Sequence, residues 1–271
     1  MTKQPIALGA VQETMLMTLY GRAQAARDGG ALLDDPRAVD IVQALDYDFR
    51  RFAGQAPLGA VLRTRMLDDM VRAFLTYSPR STVVEIGAGL NARFERLDNG
   101  TLRWVDVDLP DAMRLRRQFF NQTVRRTMVA SSVTESAWMD AATALGGPYF
   151  LIAEGVLGYL REEEVKEALA RIADALPGSI LAFDISSSRN SKERHGRRVW
   201  PGLRARSGWT CEDPRQVERW GFGYRLLESR ALADMPLGQA LFSVQYSLAL
   251  ARILGWQIDA HRVNVYRAEG R

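Results

Sequence analysis

The chain has 271 residues, 47% of them apolar, 25% charged and a formal net charge of +4, a balance that supports a large core and excludes disorder. One cysteine, Cys211, rules out an internal disulfide framework and Cys-x-x-Cys zinc ligation, and only two histidines, His195 and His261, argue against a histidine-rich metal centre, so no metal is expected. The apolar start at residues 6–20 is broken by Gln12 and Glu13 and lacks a basic front with a small-residue cleavage site; neither leader nor membrane span is expected, which implies a cytoplasmic protein.

Apolar periodicity predicts helices at 11–27, 36–45 and 58–76, separated by Gly29-Gly30, Asp34-Asp35-Pro36 and residues 54–57. From Ser81 short apolar runs alternate with helical stretches. Strands are expected at 82–87, 102–108, 127–130, 149–153 and 179–185, with helices at 111–121 and 162–176, the latter stopped by Pro177-Gly178. A basic, Ser- and Arg-rich stretch at 186–208 follows. Beyond it the pattern predicts a short helix at 214–220, a strand at 224–228, a helix at 237–254 and a closing strand at 257–266. The βαβ rhythm argues for a doubly wound, Rossmann-like α/β sheet. Two regions are expected: a helical N-terminal extension at 1–80, and an α/β domain at 81–271 with a lid insertion at about 186–212.

The first strand ends in Glu85-Ile-Gly-Ala-Gly89, where a sharp strand-to-helix turn needs residues without Cβ. The run Gly87-Ala-Gly-Leu-Asn-Ala92 satisfies a dinucleotide fingerprint, with Asp108 about 20 residues onward as the ribose acid, so a nicotinamide-dependent oxidoreductase is one reading. Glu85 favours another. A diphosphate on the following helix N-terminus would meet that carboxylate as a like charge, whereas the ammonium and sulfonium of S-adenosylmethionine would be attracted by it. A structural turn that binds nothing is the plain alternative.

Asp108 ends the second strand and is the candidate for a ribose diol; Asp106, two residues earlier, is its competitor, and helix capping the alternative role of either. Glu154 follows the apolar run 149–153 and precedes Gly155, in the crevice where open α/β sheets bind ligands; an ion pair with Arg161 or Lys166 is the competing reading.

The stretches Leu62-Arg-Thr-Arg-Met-Leu-Asp-Asp69, Val83-Val-Glu-Ile-Gly-Ala-Gly-Leu-Asn-Ala-Arg-Phe-Glu-Arg-Leu-Asp98, Trp104-Val-Asp-Val-Asp-Leu-Pro110, Leu115-Arg-Arg-Gln-Phe119 and Ile152-Ala-Glu-Gly-Val-Leu-Gly-Tyr-Leu160 form an ordered series. Through them the chain resembles the leucine carboxyl methyltransferase family, most closely a bacterial branch that includes polyketide carboxyl methyltransferases. The resemblance implies a class I methyltransferase sheet, its last strand antiparallel, and S-adenosylmethionine as methyl donor. It implies that Arg63 grips the methionine carboxylate. Gly87, with Ala88 and Gly89, forms the close-approach turn, Asp108 and Leu109 lie at the ribose, Ser132 and Val133 at the adenine, and Glu154 and Gly155 at the amino-acid end. Arg22, in Tyr20-Gly-Arg-Ala23, is the nearest match to an N-terminal basic residue that approaches the cofactor. Two departures stand out: Ala92 where the family has Thr, and Ser132 where its eukaryotic members have Asp.

The same resemblance implies O-methylation, most naturally of a carboxylate on a small-molecule acid such as a natural-product intermediate. A carboxyl group with a reference pKa of about 4 is ionised at neutral pH and needs no general base. A phenol, an amine and a protein C-terminus are alternative acceptors; for one that needs a base, His195 is the candidate. Arg198, with Arg194 and Arg197, is placed to capture a substrate carboxylate, and Trp200 and Trp209 to pack its apolar body, against the competing reading of a solvated loop with a tryptophan anchor. The arginines of Leu115-Arg-Arg-Gln and of Arg125-Arg126 read as ordinary solvated faces. Ala153-Glu-Gly-Val156 stands where nucleic-acid amine methyltransferases carry Asn-Pro-Pro-Tyr, and the basic residues are dispersed, so no nucleic-acid partner is expected. The pattern carries no oligomeric signal.

Overall fold

The computed structural model describes residues 4–52, 58–187, 203–206, 208–232 and 261–270. The expected helix at 237–254, and His195, Arg198, Arg194, Arg197 and Trp200, lie outside these residues. Three helices lead, α1 (Thr14–Arg27), α2 (Pro36–Ala44) and α3 (Leu58–Tyr77), with a short 3-10 turn at Phe49–Phe52. Then follow β1 (Thr82–Ile86), α4 (Arg93–Leu97), β2 (Arg103–Asp108), α5 (Pro110–Arg116), β3 (Arg126–Ala130), α6 (Ala137–Leu145) and β4 (Tyr149–Ala153). A 3-10 turn at Leu157–Tyr159 leads to α7 (Glu162–Ala175), β5 (Ile180–Ser186), α8 (Gln216–Arg219), β6 (Tyr224–Ala231) and β7 (His261–Ala268).

The seven strands pair in the order β3-β2-β1-β4-β5-β7-β6, with β1 to β5 parallel and β7 antiparallel to both of its neighbours. Chain order reverses between β1 and β4, so a crevice opens at the carboxyl ends of β1, β2 and β4, where doubly wound sheets bind ligands. This is the α/β class I methyltransferase arrangement, reversed seventh strand included.

Period-two alternation divides the sheet into two buried faces. Val84, Ile86, Val105, Val107, Leu151, Ala153, Leu181 and Phe183 pack with Trp138 of α6 and with Val165, Leu169 and Ile172 of α7. Val83, Trp104, Phe150, Ile152, Ala182, Val263 and Val265 pack against Leu62, Met66, Leu67, Val71 and Leu75 of α3 and Phe94 and Leu97 of α4. The helix α3, expected in an N-terminal extension, therefore covers one face of the sheet. Helices α1 and α2 form a third cluster with Met113, Leu115 and Phe120 around α5 and Leu90 and Ala92 of the glycine turn.

Three expectations are corrected. Pro110 at the first position starts α5 one residue early, and the helix ends at Arg116, not residue 121; the Phe119 and Phe120 amides close that end on the Arg116 carbonyl at 2.9 and 3.1 Å. Helix α6 was not anticipated, although Ser136 stands at its N-cap; that side chain makes no capping bond. Of the expected lid, Trp209 and Cys211 are buried: Trp209 is 5% exposed, lies against the rings of Phe183 and Trp220, and donates its amide to the Leu160 carbonyl at 2.7 Å. Trp209 is therefore the tryptophan anchor of the competing reading. Among the described residues no helix is long and apolar enough to cross a membrane.

Candidate active site

The turn after β1 places Gly87 and Gly89 at φ +69° and +48°, the left-handed region that disfavours residues with a Cβ. The Gly87 and Ala88 amides donate to the Val107 carbonyl of β2 at 2.8 and 3.0 Å. The Gly89 amide donates to Asp108 Oδ2 at 2.6 Å, and the Leu109 amide to Asp108 Oδ1 at 2.8 Å. From α5, Arg116 donates to the carbonyls of Ala88, Gly89 and Asn91 at 3.2, 2.8 and 2.9 Å. From α1, Arg22 donates to the Leu90 carbonyl at 2.9 Å and to Asp35 Oδ2 at 3.0 Å. Arg22 thus sits at the turn, although it grips backbone and an aspartate there.

Asp106 and Asp108 separate cleanly. Asp106 is fully buried and takes bonds from Arg116, Arg126 and the Trp104 indole at 2.9, 2.7 and 2.9 Å, which leaves it no surface to offer a ligand. Asp108 is partly exposed at the strand end, and burial raises its carboxyl above the usual range against the opposing pull of the Gly89 and Leu109 amides. Neither aspartate caps α5, whose N-cap is Leu109 with no side-chain bond.

Strand alternation aims Glu85, Asp184 and Glu154 toward α3 and α4, and those helices answer with arginines. Glu154 Oε1 accepts from Arg63 Nε at 3.0 Å and Thr64 Oγ1 at 2.7 Å; its Oε2 accepts from Arg93 Nη2 at 2.5 Å. Arg93, fully buried, also donates to Asp68 Oδ1 and Glu85 Oε1, both at 2.6 Å. Arg96 ties Asp68 to Asp35 at 2.7 and 2.9 Å. A further helix-borne contact runs from Arg63 Nη1 to Asp184 Oδ2 at 2.9 Å. This network joins five carboxyl groups (Asp35, Asp68, Glu85, Glu154, Asp184) to four guanidiniums (Arg22, Arg63, Arg93, Arg96). The competing ion pairs for Glu154 are not made: Arg161 bonds Glu164 and Lys166 bonds Glu162.

Burial works against ionised Glu154 and Asp184, yet Arg63 with Arg93, and Arg63 with His261, outweigh it and hold both carboxyls below their usual range. Glu85 goes the other way. Burial pushes it up to about 7 despite Arg93 and Arg116, with Asp106 and Glu154 adding to the rise. It is 2% exposed, and its Oε2 has no hydrogen-bond partner. β1 aims the Glu85 side chain beneath Arg93, which also pairs with Glu154, and this burial leaves Glu85 little surface for the direct cofactor contact expected from the sequence.

The remaining predicted residues cluster on the same rim. Gly155, at φ +64°, stands so close to Arg63 that a Cβ there would lie 3.1 Å from Nη2. That Nη2 has no hydrogen-bond partner among the described residues and is the edge of the guanidinium left to a ligand. Past β3, the Ser132 amide is fastened to Glu135 Oε2 at 2.8 Å and Ser132 Oγ to Thr134 Oγ1 at 3.0 Å, while Val133 is buried against Trp138. Ala92 is the N-cap of α4 and makes no capping bond, the structural cost of the missing hydroxyl.

Residues the sequence reading passed over are Asp68, Arg93, Asp184, His261, Arg116 and Arg126. Arg116 and Arg126 were expected on solvated faces and are 0% and 2% exposed, because Asp106 and the turn carbonyls neutralise them inside. Asp184 carried a legible signal, a lone acid within the apolar run 180–185, the same that marked Glu154.

S-adenosylmethionine brings an ammonium, a sulfonium and a carboxylate, and these residues fit it. Glu154 at the tip of β4 suits the cations, the open Arg63 edge the anion, and Asp108 a ribose diol. A family model described as leucine carboxyl methyltransferase matches residues 15–173, a span that holds Arg22, Arg63, the glycine turn, Asp108 and Glu154. The chain is 31% identical over 236 residues to the tetracenomycin polyketide synthesis O-methyltransferase TcmP of Streptomyces glaucescens, covering 86% of this chain and 87% of that one. It is 26% identical over 247 residues to the S-adenosyl-L-methionine-dependent methyltransferase dpfgK of Gibberella zeae, covering 80% of each. A solved DUF574 family protein of Streptomyces avermitilis is similar in fold, with TM-score 0.57 at 15% identity, covering 80% of this chain and 87% of that chain. A diphosphate-binding oxidoreductase is thereby set aside, and the chain belongs to the leucine carboxyl methyltransferase family as an S-adenosylmethionine-dependent methyltransferase.

Proposed function

We propose that the enzyme methylates a carboxylate oxygen of a small organic acid, producing its methyl ester and S-adenosylhomocysteine. When bound, S-adenosylmethionine supplies an electrophilic methyl group: a carboxylate lone pair forms the O–C bond, the C–S bond breaks, and its electron pair stays on sulfur. No proton changes hands. The observation that carries the choice is the engagement of His261: its Nε2 faces Asp184 Oδ2 at 2.8 Å and its Nδ1 faces Ser186 Oγ at 3.0 Å. Both ring nitrogens of the only histidine among the described residues are committed to protein partners, which suits an acceptor that arrives ionised. The family description and the polyketide O-methyltransferase relative support the same reading.

The chain's own work is positioning, which supplies much of the rate in an in-line displacement. Arg63 holds the methionine carboxylate through Nη2, Glu154 and Gly155 border the ammonium, Asp108 takes the ribose hydroxyls beside Leu109, and Ser132 and Val133 border the adenine. Gly87, Ala88 and Gly89 let the backbone approach. The test is to incubate the enzyme with methyl-labelled S-adenosylmethionine and a panel of aromatic and aliphatic acids alongside the matching phenols and amines, then treat the products with mild base. Label released as methanol supports a carboxyl ester; base-stable label on a phenol or amine overturns the proposal.

A further inference from the structure

Asp184 is the best-connected side chain of the site that neither the sequence motifs nor the family match accounts for, since it lies beyond residue 173, where that match ends. Three elements converge on it. Arg63 of α3 donates Nη1 to Oδ2 at 2.9 Å, and His261, the first residue of β7, shares the same oxygen through Nε2 at 2.8 Å. The Gly155 amide, just past β4, donates to Oδ1 at 2.5 Å. The carboxylate is 6% exposed, so these contacts act in a poorly screened environment.

We propose that Asp184, backed by His261, is a positioning residue that sets the plane of the Arg63 guanidinium for the methionine carboxylate. The inference rests on the reading that Arg63 holds that carboxylate. An arginine anchored at Nε alone can still swing its fork; a second anchor at Nη1 defines the plane and aims Nη2 outward. Glu154 provides the first anchor at 3.0 Å and Asp184 the second. By taking the Gly155 amide as well, Asp184 pins the backbone over which Nη2 passes, a place where any Cβ would crowd the guanidinium. His261 in turn holds Oδ2 in place and is itself fixed by Ser186, its partner in the β5–β7 register.

The experiment compares two ligands by calorimetric titration: S-adenosylhomocysteine, which has the amino-acid end, and 5′-methylthioadenosine, which lacks it. Asp184→Asn keeps the shape but places an NH2 group or a single acceptor where three donors converge. S-adenosylhomocysteine binding should fall about tenfold or more, the scale of a lost charge-assisted hydrogen bond, while 5′-methylthioadenosine binding stays within about twofold. His261→Ala should show the same selectivity at smaller amplitude, and it carries the test if Asp184→Asn does not fold. Arg63→Ala is the reference. If Arg63→Ala leaves S-adenosylhomocysteine affinity at the parental level, the carboxylate assignment fails and the inference falls with it. If Arg63→Ala shows the selective loss but Asp184→Asn, folded and binding 5′-methylthioadenosine, keeps parental affinity for S-adenosylhomocysteine, positioning by Asp184 alone is wrong. Equal losses for both ligands reduce Asp184 to a structural residue and overturn the proposal.

Discussion

Replacing Gly87 by Ala tests the glycine turn most directly, because its two costs can be separated. At φ +69° an L-residue is strained by about 1–2 kcal/mol. The added Cβ would also overlap Cγ2 of Val156, whose Cβ stands 3.6 Å away, and overpacking of this kind costs about 1–3 kcal/mol. Gly87→Ala should therefore lose about 2–5 kcal/mol of unfolding free energy. Val156→Ala deletes two methyl groups from a partly buried side chain and should lose about 1 kcal/mol. In the double variant the overlap disappears and only the strain and the lost methyl groups remain, so the two changes should couple favourably by about 1–3 kcal/mol. Urea titrations of the four proteins read this cycle through midpoints at constant slope. Losses that simply add, within about 0.5 kcal/mol, would refute the packing argument, and a Gly87→Ala protein as stable as the parent would refute the strain argument too.

Arg116→Met removes the guanidinium that gathers three turn carbonyls and Asp106, and should cost about 3 kcal/mol or more and weaken S-adenosylhomocysteine binding, whereas Arg114→Met on the exposed side of α5 should stay within about 0.5 kcal/mol in the same urea assay. Glu154→Ala leaves Arg63 and Arg93 buried without their shared carboxylate; it should lose about 3–5 kcal/mol as well as cofactor affinity, while Arg65→Ala, paired with Asp69 across an exposed face of α3, should be near neutral in both readouts. Glu85 predicts a pH dependence. Its carboxyl, raised by burial from 4.5 to about 7 with Arg93 opposing the rise and Asp106 and Glu154 adding to it, keeps a proton in the folded state that the unfolded chain releases. Its contribution to stability is therefore greatest below 4.5, is lost as pH rises through the window, and is fully lost above about 7. Glu85→Gln should flatten that part of the urea-midpoint profile, and superimposable parent and variant profiles would show that Glu85 does not hold the proton.

The fold was legible because its cues are local. Runs such as Thr82–Ile86 and Tyr149–Ala153 are apolar enough to be central strands on their own, and Asp35-Pro36 marks the start of α2, where Asp35 accepts the Ala38 amide at 3.0 Å. The glycine turn and Asp108 were legible for the same reason, since a backbone at positive φ and an acid at a strand end leave their mark in a few consecutive residues. Glu85 shows where local reading stops. Its type and spacing were read correctly, but not the direction of its charge, because that depends on Arg93 arriving from α4.

Sequence alone determined the order of the strands, all of the longer helices except α6, the glycine turn after β1 and the acids at the tips of β2 and β4. Only the tertiary structure decided which charges are spent on one another. Arg116 and Arg117 are neighbours of the same type, yet one is sealed beneath the turn and the other is exposed, and Asp68 and Asp69 divide in the same way on α3. The physical reason is that a buried ion pair is a long-range fact: Arg93 is satisfied by Asp68, Glu85 and Glu154 from three separate elements, and no local pattern records a meeting that exists only after the helices have packed across the sheet.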